Sequence, residues 1–341
     1  MIVAMKNIPF HAYWIEEKPL GSFKGHLTLR NTDELPQNGV LLKVLYSSLN
    51  YKDALSATGN KGVTRKYPHT PGIDAAGIVI ESVSDRVKPG DQVIVTGYDL
   101  GMNTMGGFGE YINVPADWVV HLPEGLSLKE SMILGTAGFT AALSMNLLIQ
   151  CNQKPADGPL LVTGATGGVG SVSVALASKL GFEVTASSGK ARAKDYLIKL
   201  GAKKVIDRSM VDDQSGRMLL RAQWAGAIDT VGGNILATIL KSLMVHGNVA
   251  CCGNVASPLL NTSVFPFILN GVKLLGVNSA TTPMPLRETL WNKLAHEWKP
   301  ELDTIQIKII RMSELQHNIE KMLQGDITGR VILEHRDTIL S

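Results

Sequence analysis

The feature that most limits what this chain can fold into is the run Leu160-Leu161-Val162-Thr163-Gly164-Ala165-Thr166-Gly167-Gly168-Val169-Gly170. A short apolar stretch enters a glycine-rich turn. A helix-period pattern follows from Val169 to Leu180, and a second apolar run, "EVTASS" from Glu183, comes after it. Strand, tight turn, helix and strand form the setting in which glycines cradle a dinucleotide. Gly164 and Gly167 let the backbone turn sharply and approach a pyrophosphate, while Gly170 lets the helix pack closely on the sheet. The free N–H groups of the first helical turn then face the phosphates. Ala165 stands where the motif has its first glycine, so the turn reads A-x-G-x-x-G. Taken alone, that pattern also suits a purely structural turn.

The end of the second strand refines the reading. About 20 residues beyond the turn, a site for the 2′-hydroxyl form of the cofactor places a carboxylate. This chain has Ser187-Ser188-Gly189-Lys190-Ala191-Arg192 there, with Arg208 past the third strand. Hydroxyls and cations suit a 2′-phosphate, so the expected cofactor is NADPH. The plainer reading of Lys190 and Arg192 is a solvated helix start, although cations are unfavourable at a helix N-terminus without an anion nearby.

The 341 residues exceed one ordinary hydrophobic core, which argues for two domains. Up to about Leu148 the chain reads as short strands, with "VLLKVLYSSL" from Val40, "AAGIVIESV" from Ala75 and "DQVIVTGY" from Asp91, punctuated by "KPGD" and "LPEG" turns. After Pro155 strands and helices alternate through "KKVID", "GAIDTVG", "GNVACCGN" and "VKLLGVNS", toward about six parallel strands. The last forty or so residues return to strand, helix and strand, and are expected to rejoin the first domain. Thirty-three basic against 30 acidic residues, without a basic stripe, argue against nucleic-acid binding. Cys151, Cys251 and Cys252 lack the spacing of a disulfide framework or zinc knuckle, which points to a reducing, cytoplasmic setting. No signal-peptide pattern and no run of about 18 uncharged apolar residues is read, so neither export nor a membrane is expected.

The segments "SSLNYKDALSATG" from Ser47, "PGIDAAGIV" from Pro71, "GGFGEY" from Gly106, "ILGTAGFTAAL" from Ile133, "VTGATGGVGS" from Val162, "WAGAIDTVGG" from Trp224 and "PFILNGVKLLGVNS" from Pro266 together resemble a zinc-independent member of the medium-chain dehydrogenase/reductase superfamily. The similarity is to the YhdH/AcuI group, named as quinone oxidoreductases or NADPH-dependent acryloyl-CoA reductases. It implies an α/β chain: a mostly-β GroES-like catalytic domain over 1–135 with a returning tail 305–341, and a Rossmann domain, a doubly wound parallel sheet, over 136–304. It also implies NADPH contacts at Tyr51, Thr166, Gly167, Gly168, Val169, Ser188, Gly189, Lys190, Arg208, Asn254, Ile268, Ser279 and Gln324, the last lying in a loosely matching stretch.

Zinc-dependent members need a Cys where this chain has Asn50 and a His where it has Ile73, so no metal is expected, and His69 lacks a thiolate partner. The resemblance implies reduction of a carbon–carbon double bond conjugated to a thioester, with Asn50, Tyr51 and Lys52 as candidate donors to the developing enolate oxygen. Tyr51 either relays the proton or packs on the nicotinamide, and Asp53 reads as an orienter or helix cap. Lys61, Arg65 and Lys66 offer cations to a CoA phosphate or form an ordinary solvated loop. Two other functions stay open: a quinone reductase indifferent to a CoA handle, and a non-catalytic NADPH-binding scaffold. The family resemblance also implies a homodimer through the strand "VKLLGVNS".

Overall fold

Alternating β-branched residues build the strands of the first part of the chain. In the computed structural model, which describes residues 7–335, these are β1 (Pro9–Lys18), β2 (Ser22–Asn31), β3 (Val40–Leu49), then helix α1 (Tyr51–Ala57), β4 (Asp74–Ser82), β5 (Gln92–Thr96), β6 (Tyr111–Val114) and β7 (Val119–His121). Helix α2 (Leu128–Gln150) leads to β8 (Leu160–Val162), α3 (Gly168–Lys179), β9 (Val184–Ser188), α4 (Lys194–Lys199), β10 (Lys204–Asp207), β11 (Trp224–Asp229), α5 (Gly233–Ser242), β12 (Leu243–Cys251), α6 (Phe265–Asn270) and β13 (Lys273–Gly276). The described chain closes with α7 (Met284–Ala295), β14 (Ile307–Ile310), α8 (Leu315–Leu323) and β15 (Arg330–Glu334).

Two compact units result. One holds the described residues up to Thr136, Ala280–Ala295 and the described residues from Ile307 on, and the other holds Ala137–Ser279 with His296–Gln306. In the first unit, β14, β15, β3, β4, β5 and β7 follow one another in a sheet, and β6 also pairs β3. Val40, Leu42, Val44, Val79, Val93, Val95, Ile112 and Val114 fill its core from alternate strand positions. One edge of β3 runs along β4, and the other is divided between two partners: Val40–Lys43 pair with β6, and Tyr46–Leu49 pair antiparallel with β15. The expected return of the tail is therefore a strand pairing, with Val331 opposite Leu49. Helix α8 lies against α1 through Leu315 and Ile319 with Ala54 and Ala57.

Three features depart from the sequence reading. The β1–β2 hairpin was not anticipated, because β2 has largely exposed residues and lacks a clean alternation. α7 was expected in the nucleotide-binding half. It groups instead with the first unit, where buried Arg287 donates from Nη1 to the Thr96 carbonyl at 2.8 Å. α2 is also long and apolar enough to cross a membrane, which the sequence reading did not find. It is a core helix by its burial, 78% of its most apolar window being covered, and Gly135 kinks it with φ 52° and ψ −155°.

The second unit carries a six-stranded sheet ordered β10-β9-β8-β11-β12-β13, with every neighbour parallel. Leu161, Ala227, Val249, Ile235, Ile239 and Leu240 pack α5 against it. The chain goes outward from β8 through β9 to β10, then comes back to place β11 on the other side of β8. In a parallel sheet the loops at such a reversal splay apart and open a crevice at the carboxyl ends of the strands.

Candidate active site

The reversal between β8 and β11 is braced by buried polar groups. Thr163 Oγ1 donates to Asp229 Oδ1 at 2.6 Å, Thr230 Oγ1 donates to the Thr163 carbonyl at 3.0 Å, and Gly232 N donates to Asp229 Oδ2 at 2.8 Å. Burial holds the Asp229 carboxyl above its ordinary range, against these hydrogen bonds. The loops that flank the crevice are thereby fixed relative to each other.

The glycine turn sits on this brace. Gly164 has φ 56°, and a Cβ on Gly170 would lie 2.2 Å from the Gly164 carbonyl oxygen and 2.7 Å from Ala165 Cα. Only glycine allows α3 to start so close to the turn. Gly167 N closes the turn onto the Gly164 carbonyl at 2.9 Å, and Ala165 N ties it to the Ser187 carbonyl at 3.1 Å. As the opening residues of a helix, Gly168, Val169 and Gly170 have no intrahelical acceptor for their N–H groups, so the helix start is a ready anion site.

At the end of β9, Ser188 Oγ accepts from Lys190 N at 3.0 Å. A Cβ on Gly189 would lie 2.9 Å from Arg208 Cδ and Nε, so the Arg208 side chain lies over that turn. No carboxylate occurs from Ser187 to Arg192. Asp207 pairs with Ser188 across β10 and β9, but its carboxylate caps Ser209 N at 2.9 Å. Asn254 follows β12, its Cα 3.1 Å from where a Cβ of Gly232 would stand. Ser279 accepts from Thr140 Oγ1 at 2.8 Å. The structure thus gathers Thr166 to Val169, Ser188 to Lys190, Arg208 and Asn254 at one edge of one sheet. Ile268 is placed differently, on α6 with 67% exposure, and Gln324 belongs to the first unit at the end of α8. The cradle that a Cβ would fill, the unpaired helical N–H groups and the cationic turn together fit a dinucleotide carrying a 2′-phosphate.

In the first unit the segment Ser48 to Asp53 lies on a buried charged cluster. Asp53 Oδ1 accepts Gly72 N at 3.1 Å and Ile73 N at 2.8 Å, while Oδ2 accepts Asn50 N at 2.8 Å. This is the expected cap and orienter role. Full burial, helped by the Asp74 charge, pushes the Asp53 carboxyl up to about 7 against those hydrogen bonds. Asp74 accepts from Ser48 Oγ, from Asn50 Nδ2 at 2.8 Å and from Thr136 Oγ1 at 2.6 Å. Arg330, opening β15 one step beyond the Val331–Leu49 pair, donates to Asn50 Oδ1 at 3.3 Å and to the Ile133 carbonyl at 2.8 Å. Gly135 leaves room for the cluster: its Cβ would meet Asp74 Oδ2 at 2.6 Å and Arg330 Nη2 at 2.9 Å.

Both ends of the Asn50 amide are therefore engaged inside the protein. Tyr51 is 38% exposed. Lys61, expected in a loop of three available cations, reaches Glu17 at 3.1 Å and lies over the Tyr67 ring at 4.7 Å, which leaves Arg65 and Lys66 exposed.

The residues do not fit a catalytic zinc. Asn50 turns its amide N–H toward Asp74, Ile73 is a buried hydrocarbon, and all three thiols belong to the second unit. No group of three His, Cys, Asp or Glu side chains able to hold a metal ion occurs among the described residues. Sequence reasoning missed Asp74, Thr136 and Arg330. The usable signal was a charged residue opening an apolar strand, as in Asp74-Ala75-Ala76 and Arg330-Val331-Ile332.

Comparison with known proteins bears on both units. Residues 36–124 match the alcohol dehydrogenase GroES-like domain, and residues 168–296 match the domain described as zinc-binding dehydrogenase. The putative quinone oxidoreductase YhfP of Bacillus subtilis is 44% identical, over 93% of this chain and 97% of its own. Its structure with NAD bound superposes with a TM-score of 0.93 over 96% of this chain and all of that one. The acrylyl-CoA reductase AcuI of Ruegeria pomeroyi is 41% identical over 88% of this chain and 91% of its own. The yhdH oxidoreductase of Salmonella enterica, solved with NADP, is 39% identical and has a TM-score of 0.92 over 96% of this chain and all of that one.

Proposed function

The chain belongs to the medium-chain dehydrogenase/reductase family, in its zinc-independent YhdH/AcuI group, and on that premise we propose that it is an NADPH-dependent reductase of the C=C bond of a small enoyl-CoA thioester, converting acryloyl-CoA to propionyl-CoA. The observation that carries the cofactor assignment is the end of β9, where Ser188, Lys190 and Arg208 surround a glycine and no carboxylate intervenes. The acceptor assignment is supported by the likeness to AcuI over most of both chains.

In the second unit, the α3 N-terminus takes the pyrophosphate on its free N–H groups, and Ser188, Lys190 and Arg208 take the 2′-phosphate. When bound there, NADPH would supply a hydride for the β-carbon of the acceptor. In the first unit, the Tyr51 hydroxyl donates a hydrogen bond to the thioester oxygen, which stabilises the negative charge that develops there, and supports delivery of a proton to the α-carbon. Asn50 acts as a positioning residue. Its amide, held between Asp74 and Arg330, fixes the first turn of α1 and with it Tyr51.

A second reading is an NADPH:quinone oxidoreductase, favoured by the likeness to YhfP. Measuring NADPH oxidation with acryloyl-CoA, crotonyl-CoA and benzoquinone side by side separates the two. Turnover of benzoquinone alone overturns the enoyl-CoA assignment, and tight NADPH binding without turnover of any acceptor returns the scaffold reading. The three free thiols support a reducing compartment. β13 ends the parallel sheet with β12 as its partner in that order, and exposed Leu274, Ile268 and Leu269 lie on or beside it, which supports a homodimer through this edge. Sedimentation of the purified chain as a monomer at micromolar concentration overturns that.

A further inference from the structure

The first turn of α3 contains a wholly buried hydroxyl, that of Ser171, whose Oγ donates back to the Gly168 carbonyl at 3.2 Å. A serine bonded to its own helix in this way adds little or nothing to the helix itself. Its oxygen also needs a donor, and α4 supplies one. The phenol of half-buried Tyr196 hydrogen-bonds to the Ser171 side chain, and its oxygen accepts from Gln306 N at 3.3 Å. All three residues belong to the second unit, of which Gln306 is the last.

The direction of this chain is fixed by its ends. A backbone N–H can only donate, so the phenol oxygen that accepts from Gln306 turns its own proton to Ser171, and Ser171 passes its proton to the Gly168 carbonyl. Burial outweighs both hydrogen bonds and raises the Tyr196 phenol above its ordinary value, so the proton stays in place. The Gly168 carbonyl and the Val169 N–H share one planar peptide, and in a helix the two point opposite ways along the axis. A donor on the carbonyl therefore orients that peptide and polarises its N–H. Val169 N–H is one of those at the α3 start without an intrahelical acceptor.

We propose that Tyr196 is a positioning residue for the pyrophosphate: through Ser171 it fixes and polarises the Gly168–Val169 peptide, and so strengthens the Val169 N–H as a donor to phosphate. This rests on the reading of the α3 N-terminus as the pyrophosphate site. A plain structural role, in which the phenol only ties α4 to α3, makes a different prediction, because losing it then lowers stability without distinguishing one nucleotide from another.

The experiment titrates NADPH and adenosine 2′-monophosphate into the wild type, Tyr196→Phe, Ser171→Ala and the double variant, with a melting curve for each. The monophosphate carries the group assigned to Ser188, Lys190 and Arg208 but has no pyrophosphate, so it reports on the rest of the nucleotide site. Tyr196→Phe weakens NADPH binding about 5-fold, within the range for members of one hydrogen-bond network, and leaves the monophosphate unchanged. Ser171→Ala breaks the same chain at its next link and gives a selective loss of similar size. Because the two hydroxyls act in series, the double variant binds NADPH no more weakly than the weaker single one. Tyr196→Met, which also lacks the hydroxyl, takes the place of Tyr196→Phe if that variant does not fold. Wild-type NADPH affinity in either single variant, a parallel loss of monophosphate binding, or additive losses in the double variant overturns the proposal. A wild type that binds NADPH no more tightly than the monophosphate refutes the pyrophosphate reading itself, and this proposal with it.

Discussion

Replacing Gly170 by Ala tests the tight seating of α3 on its turn. The added Cβ would lie 2.2 Å from the Gly164 carbonyl oxygen and 2.7 Å from Ala165 Cα, both backbone atoms that no side-chain rotation can clear. Ordinary contact requires the helix start to retreat by about 1 Å, a displacement on the scale of overpacked cores, which lose about 1–3 kcal/mol. The same retreat withdraws the N–H groups of Gly168 to Gly170 from a bound pyrophosphate. Loss of a single hydrogen bond to a charged group is worth about 1.5–3 kcal/mol, so the dissociation constant for NADPH should rise roughly 10- to 100-fold. Gly167→Ala is the internal control. Gly167 has φ −77°, and its Cβ would meet only the Gly164 carbonyl, at 3.3 Å, so this variant should melt within a degree or two of wild type. It should nevertheless bind NADPH more weakly, because the methyl group stands where a phosphate approaches. Thermal melts and NADPH fluorescence titrations on both variants suffice. Wild-type affinity and melting in Gly170→Ala, or equal destabilisation by the two substitutions, refutes the seating argument.

Two further outcomes follow from the sites. Arg208→Ala removes the guanidinium over Gly189, and should weaken NADPH binding about 10-fold while leaving NADH binding unchanged. An equal loss for both cofactors in the titrations would assign Arg208 to the shared part of the nucleotide. The second concerns pH. Asp53 has its folded-state carboxyl raised to about 7 from an ordinary 3.8, so between those values the folded chain binds more protons than the unfolded one. The contribution of Asp53 to stability is thus fully present below about pH 4 and is lost as pH rises through about 7, at up to roughly 1.4 kcal/mol per unit. Denaturant melts at pH 5, 6 and 7 should show this decline in the wild type and less of it in Asp53→Asn, and parallel slopes in the two proteins rule it out.

The division of the fold and the nucleotide edge were readable because both depend on local pattern. Glycine, hydroxyl and cation occur within a few residues of one another at Gly164–Gly170 and Ser188–Lys190, and a strand-helix alternation identifies the parallel sheet. The charged cluster in the first unit was not readable in this way. Asp53 and Asn50 appear as an ordinary cap, and only the register of β15 on β3 places Arg330 beside them. The apolar length of α2 went unread as such, and the structure shows it as burial in a core.

The pairing of β15 with β3 has a consequence for how this enzyme comes into being on the ribosome. Arg330 follows Asn50 by 280 residues, so the segment carrying Tyr51 waits, with its buried carboxylates unmatched, until that whole intervening length has been made. A protein cut short between Gln306 and β15 retains its complete nucleotide-binding sheet but has Asp74 and Asp53 without the Arg330 guanidinium. Such fragments should still capture NADPH while leaving the acceptor end unfinished, so that reductive chemistry begins only when β15 has closed on β3.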